Sequence, residues 1–282
     1  MNDYTGTMSN NKLAISNVVL FILAFGFLYW TTIYGMVMDW YIDENYSHGF
    51  LIPFISGYFY WQMRDRVRSV EKTRSVSGLL ILIAGLTIFL IGYLSGEQFT
   101  MRFSMLIVVA GAVIYTCGTG YFKAVSFPFI YLIFMIPLPY LIYDSVAFPL
   151  KLLVSKVSVE FLSFIGILVL REGNIIHLAS TTLEVADACS GIRSIISLLA
   201  LSTAIAYLTQ KGWVKRMILI VLAVPIAVFV NAIRVIVTGI LAERYGAAAA
   251  EGFFHEFAGL VIFGVAIVML IASAVLLRKY NE

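Results

Sequence analysis

Long apolar runs separated by short polar connections recur along the whole chain. A helix satisfies its own backbone polar groups, so runs of this length can cross about 30 Å of hydrocarbon as helices. Eight spans account for the pattern, at 14–38, 48–62, 77–95, 102–119, 122–140, 190–209, 214–241 and 255–277. The second is short, and its core from Phe50 to Trp61 either begins deeper or runs at a tilt. A further apolar stretch, 144–166, is helical in pattern, with Lys151, Ser155, Lys156, Ser158 and Glu160 giving it a polar side. That predicts an amphipathic helix in the outer membrane interface, with a re-entrant path left open. Asn174-Ile-Ile-His177-Leu and Thr182-Leu-Glu184-Val are β-branched and separated by Ala-Ser-Thr, which predicts a small hairpin outside the membrane. The expected fold class is all-α: a polytopic membrane helix bundle of about eight transmembrane helices, with an outer interfacial helix and a short extracytoplasmic hairpin. One integral-membrane domain is expected over 1–282.

Composition strengthens the membrane reading. Of 282 residues, 61% are hydrophobic and 12% charged, and the mean hydropathy is +0.94, well outside the soluble range. The net charge of +3 does not point to nucleic acid, because the basic residues sit at the ends of apolar runs and form no face. They report topology instead. Arg64, Arg66, Arg68, Lys72 and Arg74 crowd one connection, Lys211, Lys215 and Arg216 another, and Arg278 and Lys279 follow the last span. All three clusters belong in the cytoplasm, and two cytoplasmic termini require an even number of spans. Asp39, Asp43, Glu44, Glu243 and Glu251 fall on the other side. The first apolar run is too long for a signal-peptide core and lacks a clear cleavage site, so it is expected to stay as a helix. Cys117 and Cys189 fall on opposite sides of the membrane, which leaves each a free thiol.

Against this background a few polar residues stand out. In Glu184-Val-Ala-Asp187-Ala-Cys189-Ser190-Gly191-Ile-Arg193-Ser, a polar segment gives way to an apolar helix with a cysteine at its first turn. Unpartnered N–H groups and the helix dipole favour a thiolate there, and the same N–H groups can cradle an oxyanion. A free cysteine is as often a small buried hydrophobe. Arg234 lies inside an apolar helix, three residues after Asn231 and on the same face. An ionisable group in a span is costly and marks function, unless it snorkels to headgroups. His255 begins the final span, and Gly259, one turn later, would let a neighbouring helix approach. In the expected topology Cys189, Arg234 and His255 reach the same outer depth from three helices. A thiol nucleophile needs an imidazole and a positive donor for the oxyanion. Ser190, Gly191, Arg193 and His48 are supporting or substrate-binding candidates, and Asp187 or Glu184 could orient His255. Three histidines with one outer thiol make a poor zinc site, so neither a metal nor another cofactor is expected.

Three blocks, Ala188-Cys189-Ser190-Gly191-Ile-Arg193-Ser, Asn231-Ala-Ile-Arg234 and His255-Glu-Phe-Ala-Gly259, together resemble the exosortase and archaeosortase family of membrane cysteine proteases. Tyr46-Ser47-His48-Gly49-Phe50-Leu is similar to the segment these proteins carry before their second span. The resemblance implies a protein of the bacterial inner membrane with its active site at the extracytoplasmic face. It implies cleavage of a C-terminal sorting signal of the PEP-CTERM type through a thioester on Cys189, and transfer of the product to an acceptor. The implied partners are membrane-anchored substrate proteins bearing such a tail, a cell-surface polysaccharide or lipid acceptor, and membrane lipids. Two other classes stay open: a secondary transporter, which would carry repeats and a midplane polar cluster, and a non-catalytic assembly factor with Cys189 inert.

Overall fold

The computed structural model describes residues 3–179, 181–185, 192–246 and 253–279. It is 83% helical, an all-α polytopic bundle. Among the described residues five helices are long and apolar enough to cross a membrane: Ser16–Ile42, Val76–Ser95, Gln98–Ala124, Trp213–Tyr245 and Gly259–Lys279. A sixth arises if Ser126–Met135 and Tyr140–Phe164 are counted as one interrupted span. The expected spans at 48–62 and 190–209 are occupied by the shorter helices Ile52–Gln62 and Ile192–Thr209. The chain forms two compact units, Met1–Pro137 and Leu138–Glu282.

The first unit opens with α1 (Asp3–Ile42), a 3-10 turn (Glu44–Phe50), α2 (Ile52–Gln62) and α3 (Arg64–Arg68). It continues with α4 (Val76–Ser95), α5 (Gln98–Ala124), α6 (Ser126–Tyr131) and a second 3-10 turn (Leu132–Met135). Helices α4 and α5 make a tight antiparallel hairpin. Gly96 ends α4 in the left-handed conformation, at φ 69°, and Glu97 caps α5 by accepting from the backbone N–H of Phe99 and Thr100. Burial disfavours the Glu97 charge, but the bonds from Thr100 and Phe99 and the nearby Arg102 outweigh it and hold the carboxyl below its ordinary range. Gly78, Gly85 and Gly92 recur every seven residues along α4, and all three are buried. A Cβ at Gly78 would strike the backbone of Tyr115, and one at Gly85 would lie 2.8 Å from Val108 Cγ2. Missing side chains thus let the two backbones touch, as membrane helices do where hydrophobic burial cannot drive association.

Polar ties fix α1 to α5. The Tyr29 hydroxyl meets Ser104 Oγ at 2.9 Å, and Arg102 Nη1 donates to Asp39 Oδ2 at 2.7 Å. Sequence reading separated 102–119 from 122–140 as two spans. In the structure α5 runs on to Ala124 with a break at Gly118, at φ 90° and ψ 166°. A Cβ at Gly118 would collide with the Thr73 carbonyl, so the connection from α3 crosses where the helix lacks a side chain.

The second unit begins with α7 (Tyr140–Phe164). Lys156 and Glu160 are exposed at its surface, whereas Ser155 and Ser158 are fully buried. The expected polar side of this helix is therefore split, with its serines turned into the packing. Three short antiparallel strands follow: β1 (Val169–Glu172), β2 (Ile175–Leu178) and β3 (Thr182–Glu184), in the order β1-β2-β3. The β2–β3 hairpin lies where the alternation puts it, with His177 opposite Thr182; β1 is an addition to it. Ile176 and Val185 are buried with Val154 of α7, so one face of the sheet closes against the helices. Then come α8 (Ile192–Thr209), α9 (Trp213–Tyr245) and α10 (Phe253–Lys279). They share a core that includes Leu198, Leu219, Ala223 and Leu270, each completely buried. The α8–α9 connection is tied to the far end of α10: Gln210 Nε2 donates to the Ala274 carbonyl at 2.8 Å and Lys215 Nζ to that of Leu277 at 2.6 Å.

Candidate functional site

Within the second unit, α8, α9 and α10 enclose a small cavity of about 20 Å³. That is room for one water-sized group. Among the described residues its polar lining is Ser194 on α8 with Asn231 and Arg234 on α9, and its apolar lining includes Leu198, Gly259 and Phe263. Asn231 and Arg234 reach it together because they are three residues apart on one helix. Asn231 is only 4% exposed, and a carboxamide so buried in an apolar bundle must exchange hydrogen bonds with protein or water.

Arg234 is carried by one of the five helices able to cross a membrane, where a guanidinium is costly unless it faces a polar interior. Here it points into the bundle. A Cβ placed on Gly259 would lie 3.3 Å from Arg234 Nη2, 3.4 Å from Cζ and 3.7 Å from Nη1. The guanidinium therefore rests against the bare backbone of α10. A permanently charged fork lining a one-group cavity can stabilise an oxyanion or hold a carboxylate.

Of the remaining expected site residues, Cys189, Ser190, Gly191 and Asp187 lie outside the described residues. Arg193 is the second residue of α8 and His255 the third of α10, and the side chains of both also lie outside what is described. In sequence, Cys189 precedes Ser194 by five residues and His255 precedes Gly259 by four. Glu184 is exposed on β3. His177, on β2, has Nε2 at 3.4 Å from Glu172 Oε2 and Nδ1 at 3.3 Å from Thr182 Oγ1.

His48 belongs to the first unit, in the 3-10 turn Glu44–Phe50. Burial holds its pKa below the ordinary histidine value, although hydrogen bonds to the backbone of Phe134 and Asn45 push the other way. Next to it Gly49 fits against the Trp40 ring, and Trp40 Nε1 donates to the Met135 carbonyl at 2.8 Å. These contacts give the Tyr-Ser-His-Gly segment a packing role in joining α1 to the second 3-10 turn. Among the described residues no group of three histidine, cysteine or carboxylate side chains could hold a metal ion.

Sequence reading missed two features. Ser194 closes the cysteine block, but a serine inside an apolar helix carries no chemical signal that singles it out as a lining residue. Arg102 and Asp39 are both visible in the sequence, but the charge pattern puts the acid in an outer loop, and nothing in the spacing pairs it with an arginine on a distant helix.

Taken together, the helical composition, the long apolar helices and the arginine turned into the bundle define a polytopic integral membrane protein with an internal polar site. The chain matches the family model described as transmembrane exosortase (Exosortase_EpsH) over residues 40–272, and it belongs to that family. No curated protein and no solved structure matches it.

Proposed function

We propose that this exosortase-family protein is a membrane cysteine protease and transpeptidase that cleaves a C-terminal sorting signal of exported proteins and passes the new carboxyl end to an acceptor. The observation that carries this reading is the convergence of Arg234, Asn231 and Ser194 on a cavity large enough for one atom group, against Gly259 of α10. Ser194 closes the cysteine block and Gly259 closes the histidine block, so the cavity's lining includes residues of both motif segments.

In the proposed mechanism, Cys189 Sγ, deprotonated by His255, attacks the scissile carbonyl carbon. The C–S bond forms as the carbonyl electron pair moves onto oxygen. Arg234 and backbone N–H groups near Ser190 and Gly191 hold that oxyanion. Its collapse breaks the C–N bond, and His255 returns the proton to the leaving amine. An incoming amine, or water, then attacks the thioester carbonyl and gives its proton to His255 as the C–S bond breaks, and His255 returns that proton to the Cys189 thiolate. The substrate tail, with its own apolar helix and basic end, docks against the bundle within the membrane. The site faces the extracytoplasmic side of a bacterial inner membrane.

Cys189→Ser tests this directly, since it changes little in volume but removes the thiolate. Processing of a PEP-CTERM-type tail should stop while protein level and membrane insertion stay normal, and Cys117→Ser should be silent. Normal processing by Cys189→Ser would rule out thiol catalysis and return the assembly-factor or transporter reading.

A further inference from the structure

We propose that Gly259 is a positioning residue for Arg234: its missing side chain is the seat on which the guanidinium lies, and it fixes where the fork points in the cavity. The inference rests on the catalytic reading of Arg234 given above, but its geometry stands apart from it. Any Cβ at 259 would meet three guanidinium atoms within 3.7 Å, the nearest at 3.3 Å. That is too close for the fork to stay in place. It would have to shift by a few tenths of an ångström, which changes where the fork sits in the cavity it lines with Ser194 and Asn231. Gly264, on the same helix, is a natural contrast because a Cβ there meets nothing within 4 Å. A general need for small residues in membrane helices would treat the two positions alike, whereas only Gly259 touches the arginine.

The expected consequence is kinetic. Donors to an oxyanion act through position, and small displacements from the productive geometry cost rate far more than affinity. Gly259→Ala should lower the cleavage rate of bound substrate about tenfold, with substrate capture and thermal stability unchanged. Gly264→Ala should match the wild type in all three.

The test measures single-turnover cleavage, substrate co-purification and melting for the full-length protein in lipid nanodiscs. It covers Gly259→Ala, Gly264→Ala, Arg234→Lys and the double variant Gly259→Ala/Arg234→Lys. If Gly259 acts through the planar fork, alanine at 259 should change the rate less than twofold once lysine stands at 234. An equal loss in both backgrounds overturns the proposal, as does a Gly259→Ala protein of wild-type rate beside an impaired Arg234→Lys. A fully active Arg234→Lys would instead bring down the catalytic reading itself. If Gly259→Ala is not recovered from membranes, recovery of the double variant shows that the clash is with the guanidinium. Loss of both shows that the glycine serves helix packing alone.

Discussion

Arg234 is compatible with two roles that leave the same mark in the sequence, because an arginine near a span end can anchor to headgroups or act inside the bundle. The contact with Gly259 supports the inward role. Lysine keeps the charge and reaches as far, but it lacks the planar fork that aims several donors at one oxygen. Arg234→Lys should therefore lower the cleavage rate about a hundredfold with substrate still captured, on the scale of losing one oxyanion donor. An anchor would give near-normal rates. A second arginine makes an asymmetric prediction about stability. The Arg102 side chain is 6% exposed and that of its partner Asp39 is 43% exposed. Asp39→Ala removes the carboxylate bonded to a buried cation and leaves the nearby Glu97 charge to offset it, whereas Arg102→Met leaves an acid that is already partly exposed. Asp39→Ala should cost about 3 kcal/mol, and Arg102→Met clearly less. Melting of the two purified variants decides it, and equal losses would show that burial of the arginine is not the controlling term.

At the scale of elements, the α4–α5 hairpin depends on backbone contact that no larger residue permits. Gly78→Val would force a side chain into the Tyr115 backbone, and accumulation in the membrane should collapse. Gly57→Val is the control, since nothing lies within 4 Å of a Cβ there, and it should accumulate normally. Loss of both proteins would point to a general intolerance of β-branching. The same elements show what the sequence made legible. The hydrophobic period located the helices, and β-branched alternation located β2 and β3. Strand β1 was missed because Val169-Leu-Arg-Glu is mostly exposed and lacks the alternation that burial imposes. The break at Gly118 was placed a few residues late, because its cause is a crossing connection from elsewhere in the chain. In α7 the serines read as a solvated side, yet Ser155 Oγ donates to the Lys151 carbonyl within its own helix, which lets a serine be buried cheaply. The site followed the same division. The shared face of Asn231 and Arg234 follows from helical spacing alone, whereas the contact of Gly259 with the guanidinium depends on how α9 packs against α10.

At the scale of the whole chain, charge and packing make one joint prediction about topology. Lys211, Lys215 and Arg216 lie in and after the α8–α9 connection, and Arg278 and Lys279 close α10. The Lys215 bond to the Leu277 carbonyl brings these two basic clusters to the same end of the second unit. The positive-inside rule assigns each cluster to the cytoplasm independently, and the packing requires that they agree. Helix α8 has 18 residues, which at 1.5 Å per residue reaches about 27 Å, just short of an average hydrocarbon core. Local thinning of the bilayer can make up that difference at modest cost. Reporter fusions at residues 70 and 213 and at the C-terminus should therefore report cytoplasm, and fusions at 180 and 248 the opposite side. Placing 213 and the C-terminus on opposite sides would contradict the packing of α8, α9 and α10. Finding 180 in the cytoplasm would be more damaging, because it would put the thiol of Cys189 on the reducing side and separate it from any exported substrate.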